Sequence, residues 1–104
     1  MLSKIVAVAA GTTQTILFNA TGAKRTSASN SGKPTITIII AGGATATVST
    51  RTAEGGTAVA VASGNLSGTI SSSKSDVLEG SIHSIDVTAA VAPVTVEIAF
   101  PEDI

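Results

Sequence analysis

Apolar and polar residues alternate along much of this chain, and turn-forming residues separate the alternating runs. The clearest run is Pro34-Thr-Ile-Thr-Ile-Ile-Ile-Ala41. It places Ile36, Ile38 and Ile40 on one face and Thr35, Thr37 and Ile39 on the other, the two-residue period of a half-buried β-strand. Gly42-Gly43 follows, and then a second alternating run from Ala44 to Thr52. Paired glycines accept positive φ without a steric penalty, so a hairpin is expected there. Glu54-Gly55-Gly56 predicts another hairpin turn into a strand over Thr57 to Ser63, giving three consecutive antiparallel strands.

The same pattern extends to both ends. Strands are expected over Lys4 to Ala10 and Thr13 to Asn19, followed by a long polar loop from Ala20 to Lys33. Asn65 to Ser71 predicts a weaker strand and Ser71 to Ser75 a loop. The last two strands are Ser81 to Ala89 and Val94 to Phe100, turned through Val91-Ala-Pro93 and stopped by Pro101. In the final strand Val94, Val96, Ile98 and Phe100 share a face opposite Thr95, Glu97 and Ala99. No helical period appears. The expected fold is a single all-β domain over residues 1–104, an antiparallel β-sandwich or jelly-roll-like barrel of seven to eight short strands. The Thr-x-Thr pairs beginning at 13, 35, 45 and 50 are unevenly spaced, which argues against a solenoid.

The expected core is Ile36, Ile38, Ile40, Val48, Val59, Val61, Ile85, Val87, Val94, Val96 and Ile98. Composition makes this core unusual. The 104 residues include 2 Phe and no Trp or Tyr, so branched aliphatics carry the burial that aromatics normally share. A small domain with so thin a core gains from association with copies of itself or a partner. Ala, Gly, Ser and Thr exceed half the chain, charged residues are 12%, and the net charge is −1. Such a surface favours contact over free solvation, so a homo-oligomer is expected.

The charges that exist are segregated. All six Lys and Arg residues lie at or before Lys74, and six of the seven acids lie at or after Asp76. Residues 1–75 therefore carry 6 − 1 = +5 and residues 76–104 carry −6. Either the acidic strands cancel the basic ones within one sandwich, or the two poles meet between neighbouring molecules.

Candidate chemistry is sparse. Cysteine is absent, which excludes a disulfide framework and thiolate zinc. The single His, His83, is followed by Ser84 and Asp86. On a strand, neighbours point to opposite faces, so His83 is expected to side with Ile85 and Val87, away from Ser84 and Asp86. Asp76 and Glu79 are too few oxygens for calcium. Gly42-Gly43 and Gly55-Gly56 lack the Lys-Ser/Thr of a phosphate loop. Lys24, Arg25 and Lys33 make a small basic patch without the aromatic platforms of nucleic-acid binders. No run approaches a membrane span, and Ile5 to Ala10 alternates like a strand and is short for a signal sequence. No enzyme, cofactor or metal site, nucleic-acid partner or membrane partner is expected.

Four stretches occur together in order. They are Thr35-Ile-Thr-Ile-Ile-Ile40, then Val48-Ser-Thr-Arg-Thr-Ala-Glu-Gly-Gly-Thr57, then Asp76-Val-Leu-Glu-Gly80, and the closing Ile82-His-Ser-Ile-Asp-Val-Thr-Ala-Ala with Pro93-Val-Thr-Val-Glu-Ile98. This order resembles small β-sandwich virion proteins of tailed bacteriophages, of the head decoration or cement type and the tail accessory type. Where similar sequences often carry Trp after the Gly-Gly turn, this chain has Val59 and Val61. The resemblance implies a non-enzymatic decoration protein, made in the host cytoplasm and resident in the virion. It would bind the major capsid protein or another virion protein, and neighbouring copies. The other expectation is a small binding module for carbohydrate or ice. For ice, Thr35/Thr37 and Thr45/Thr47 on paired strands would form the patch.

Overall fold

The computed structural model describes residues 2–17, 34–78 and 82–100. Its eight strands are β1 (Leu2–Val8), β2 (Thr13–Leu17), β3 (Thr35–Ile39), β4 (Thr45–Arg51), β5 (Val59–Ala60), β6 (Lys74–Val77), β7 (Ser84–Ala90) and β8 (Val94–Phe100). They form two four-stranded sheets, β1-β8-β3-β6 and β2-β7-β4-β5, in which every pairing is antiparallel. The all-β expectation and the sandwich are what the chain adopts. The loop expected over 20–33, its basic residues, and Pro101 lie outside the described residues.

Connectivity is where local signals mislead. Gly42 and Gly43 do form a turn, with φ of 66° and 78°, and Ala44 N–H donates to the Ala41 carbonyl at 3.2 Å. Yet this turn is not a hairpin, because β3 lies in one sheet and β4 in the other. Both flanks of β3 are already occupied, by β8 and β6. The β1–β2 and β7–β8 connections change sheets in the same way. A turn sequence specifies a chain reversal; it does not specify whether the reversed strands hydrogen-bond to each other. Of the three expected consecutive antiparallel strands, only β4 and β5 pair, through Ser49↔Ala60 and Thr50↔Val59.

The strand expected over Thr57 to Ser63 shrinks to the two residues of β5. Val59 is 62% exposed, not a core residue, and Val61 and Ile40 pack only partly against the core. The weak strand expected over Asn65 to Ser71 is a loop that touches the sheet by one bridge, Ile70↔Ala46. Its Leu66 and Ile70 are buried plugs. The loop expected over Ser71 to Ser75 instead runs into β6, where Lys74 and Ser75 pair with Ile38 and Thr37. Serine-rich sequence does not advertise an edge strand, because an edge needs few apolar residues when a neighbouring loop covers it.

The core itself follows the alternation. Ile36, Ile38, Ile85, Val87 and Ile98 are fully enclosed, and Val48, Val94 and Val96 nearly so. Each such side chain contributes about 1.5–3 kcal/mol of burial. Small residues fill the middle, with Ala46 opposite Ala89 across the β4–β7 ladder. The side of the sandwich formed by β1 and β2 is bridged by Lys4, whose ammonium donates to the Leu17 carbonyl at 3.0 Å.

The β7–β8 turn is strained. Val91 has φ of 74°, and Ala92 N–H donates to the Ala90 carbonyl at 2.9 Å, which is a γ-turn with positive φ. A β-branched residue is disfavoured there, and its side chain is 79% exposed, so no burial compensates. Val91→Gly is therefore expected to stabilise the protein by about 1 kcal/mol despite the entropy of glycine. Denaturant unfolding checks this, and a destabilised variant would contradict the strain.

Candidate functional site

The outer face of the β2-β7-β4-β5 sheet is built from the polar half of each alternation. Register aligns Thr13, Thr88 and Thr47 in one row across three strands. The hydroxyls of Thr13 and Thr88 lie 2.7 Å apart and share a hydrogen bond. The next row is Thr15, Asp86 and Ser49, and the row beyond it Leu17, Ser84 and Arg51. Thr15 Oγ1 donates to Asp86 Oδ1 at 2.8 Å.

Arg51 completes this cluster. Its Nη2 and Nε donate to Asp86 Oδ2 at 2.8 and 3.2 Å, and its Nη1 donates to the Gly56 carbonyl at 2.8 Å. One guanidinium thus clamps β7 to the β4–β5 turn. The pair is partly covered, with the side chains 30% and 12% exposed for Arg51 and Asp86. Sequence alone offers a faint signal for it, since Arg51 and Asp86 are opposite charges at outward positions of two strands. Which strands become neighbours decides the pairing, and that is not local information.

His83 sits in the bend before β7, not within the strand. The alternation argument therefore does not apply to it, and its Nδ1 lies 3.3 Å from Ser84 Oγ. This corrects the expectation that the two point apart. Asp86 is engaged by Arg51 and Thr15, and no hydrogen bond joins it to His83 among the described residues. Ser84 is 1% exposed, which denies a substrate access to its hydroxyl.

Asp76 holds the loop beside β6. It accepts the backbone N–H of Asn65 at 2.9 Å and of Val77 at 2.8 Å, while Asn65 Nδ2 donates to the Ser75 carbonyl at 3.0 Å. Glu79 lies outside the described residues. Among the described residues no group of three His, Asp or Glu side chains is placed to hold a metal ion. A shallow cleft of about 310 Å³ opens between the β5 and β6 edges, lined by Thr50, Val61, Ser63, Asp76, Leu78 and Ile82 among others. Among the described residues it holds one carboxylate, Asp76, which accepts from backbone donors, and the hydroxyl residues Thr50 and Ser63.

The outer face of the other sheet is less polar. Its rows are Ser3-Ala99-Thr35-Val77, Ile5-Glu97-Thr37-Ser75 and Ala7-Thr95-Ile39. Thr37 and Ser75 share a hydrogen bond at 2.8 Å. Thr35/Thr37 and Thr45/Thr47 therefore lie on opposite sides of the molecule and form no joint patch, because β3 and β4 belong to different sheets.

The Arg51 hydrogen bonds hold the Asp86 carboxyl below its ordinary pKa; the Thr15 bond adds to this, and burial opposes it. A carboxyl with a lowered folded pKa stabilises the fold fully above its unfolded value, about 3.9. That contribution is lost as pH falls through the folded value. Asp86→Asn is expected to be less stable than the parent at neutral pH by about 1–3 kcal/mol, and the gap should narrow below about pH 4. Denaturation midpoints of both proteins across pH test this; a gap that stays constant into acid would contradict it.

No protein-family model matches the chain, and neither the curated proteins nor the solved structures yield a match.

Proposed function

We propose that this chain is a non-enzymatic structural protein of a tailed-phage particle, a decoration or cement subunit that binds the capsid surface and neighbouring copies. The observation that carries the reading is the chemistry of the two outer sheet faces. One presents hydroxyls of Thr13, Thr15, Thr47, Ser49 and Thr88 around an ion pair that is neutralised in place. The other presents Ile5, Ala7, Ile39, Val77 and Ala99 among Thr and Ser, with Glu97 its one charge among the described residues. Faces built mainly of Thr, Ser, Ala, Val and Ile lose little rotamer entropy on contact, and few charges must be desolvated. Such faces suit docking onto another protein surface better than holding a small substrate.

The sequence resemblance points the same way, through the ordered stretches from Thr35 to Ile98. The Arg51–Asp86 pair cancels one basic and one acidic charge inside the molecule, so docking should lean on shape more than on steering. The test mixes the purified protein with empty capsids assembled from the major capsid protein of the same genome, pelleted across a salt series. Saturable co-pelleting that weakens less than tenfold between about 50 and 500 mM salt is expected, since screening acts chiefly on exposed charges. Protein that stays in the supernatant at every salt concentration would contradict the proposal.

A further inference from the structure

We propose that residues 52–62 form a strap that opens from the sandwich as a unit, and that Arg51, oriented by Asp86, is the latch that keeps it closed.

The strap leaves β4, turns through Glu54-Gly55-Gly56 and returns along the sheet edge as β5. Its Ala60, Val61 and Ala62 line the cleft together with Asp76 and Val77 of β6. The two sides of that cleft are held unequally. β6 pairs with β3 over four residues. Side chains reinforce it, with Ile40 N–H on Ser73 Oγ at 2.9 Å and Asn65 bonded to both Asp76 and the Ser75 carbonyl. β5 pairs with β4 through Ser49↔Ala60 and Thr50↔Val59, and Val61 N–H donates to the Val48 carbonyl at 3.2 Å.

Burial on the strap is slight as well. Val59, Ala60 and Ala62 are exposed, and Val61 packs only partly against the core. Gly56 N–H donates to the Ala53 carbonyl at 3.0 Å, a bond internal to the strap that survives its displacement. A segment with few buried apolar contacts and exposed backbone bonds opens at lower free energy than the strands of the core.

Arg51 opposes that opening. It is the last residue of β4, and its Nη1 donates to the Gly56 carbonyl at 2.8 Å, across the base of the strap. Asp86 Oδ2 takes the adjacent Nε and Nη2, which fixes the guanidinium plane and leaves Nη1 aimed at the strap. Asp86 is anchored in turn by Thr15 of β2. A polar relay therefore runs from β2 through β7 and β4 to the strap, and Asp86 is a positioning residue that acts through Arg51. Opening breaks the short β5 ladder and the Gly56 bond, uncovers Val61 and widens the cleft beside Leu78 and Ile82.

Native-state hydrogen exchange of the purified chain across low denaturant concentrations reads the strap directly. The Val61 amide reports local opening, and the Val96 amide of the central strand β8 reports global unfolding. In the parent, Val61 is expected to exchange about a hundredfold faster than Val96, with little dependence on denaturant. Arg51→Lys keeps the charge and loses the fork, so it should speed Val61 exchange about tenfold in the denaturant-independent range. Asp86→Asn should do the same, and the double variant should be no faster than either single one, because both act through one bond. A parent in which Val61 and Val96 exchange at one rate with one denaturant dependence overturns the strap, and this decides the point even where a variant fails to fold. Val61 exchange indifferent to Arg51→Lys overturns the latch. Additive effects in the double variant overturn the positioning role of Asp86.

Discussion

Two facing sets of branched aliphatic side chains hold this molecule together, and each set needs strands distant in sequence. Ile38, Val96 and Val6 align across β3, β8 and β1, and Val48 and Val87 align across β4 and β7. With no Trp or Tyr, branched aliphatics make up the described interior. Buried alanines such as Ala46 and Ala89 fill the space between them. Tight turns that change sheets place β1 against β8 and β3 between β8 and β6. Folding must close these long loops before the core rewards it, so slow folding of the non-local kind is the physical consequence.

The alternation of Thr35 to Ile40 and of Val94 to Ile98 revealed both strands and their buried faces, because a two-residue period maps directly onto a half-buried sheet. The Gly42-Gly43 turn was equally legible as a reversal. Its destination was not, since sheet membership depends on which other strands fill the flanks of β3. Val59 shows the same limit: its alternation looks like a strand core, yet β5 is too short and too close to the edge to bury it. Leu66 and Ile70 hid inside Ser- and Gly-rich sequence, where no period marks a plug. The Arg51–Asp86–Thr15 cluster was only faintly signalled for a related reason, as three residues on three strands meet only after the topology is known.

The segregation of charge along the chain resolves in part within the fold. The acid of β7 meets the base of β4, so these two charges are removed from the exterior field. Glu97 stands on the opposite face between Ile5 and Thr37. Among the described residues, what remains on the two outer sheet faces is largely hydroxyl and methyl, and this follows from the same alternation that built the core. A chain that spends its Ile and Val inward and its Thr and Ser outward presents two sheet faces on which the described side chains carry few charges. The functional proposal is the reading of that surface.

All of this depends on the turns carrying consecutive strands into opposite sheets. Cross-strand nuclear Overhauser contacts measure that arrangement directly. The structure predicts backbone contacts from Val96 to both Val6 and Ile38, and from Val87 to both Gln14 and Val48. A continuous ladder of contacts between Thr35–Ile39 and Thr45–Arg51 would make them a hairpin in one sheet and contradict the account.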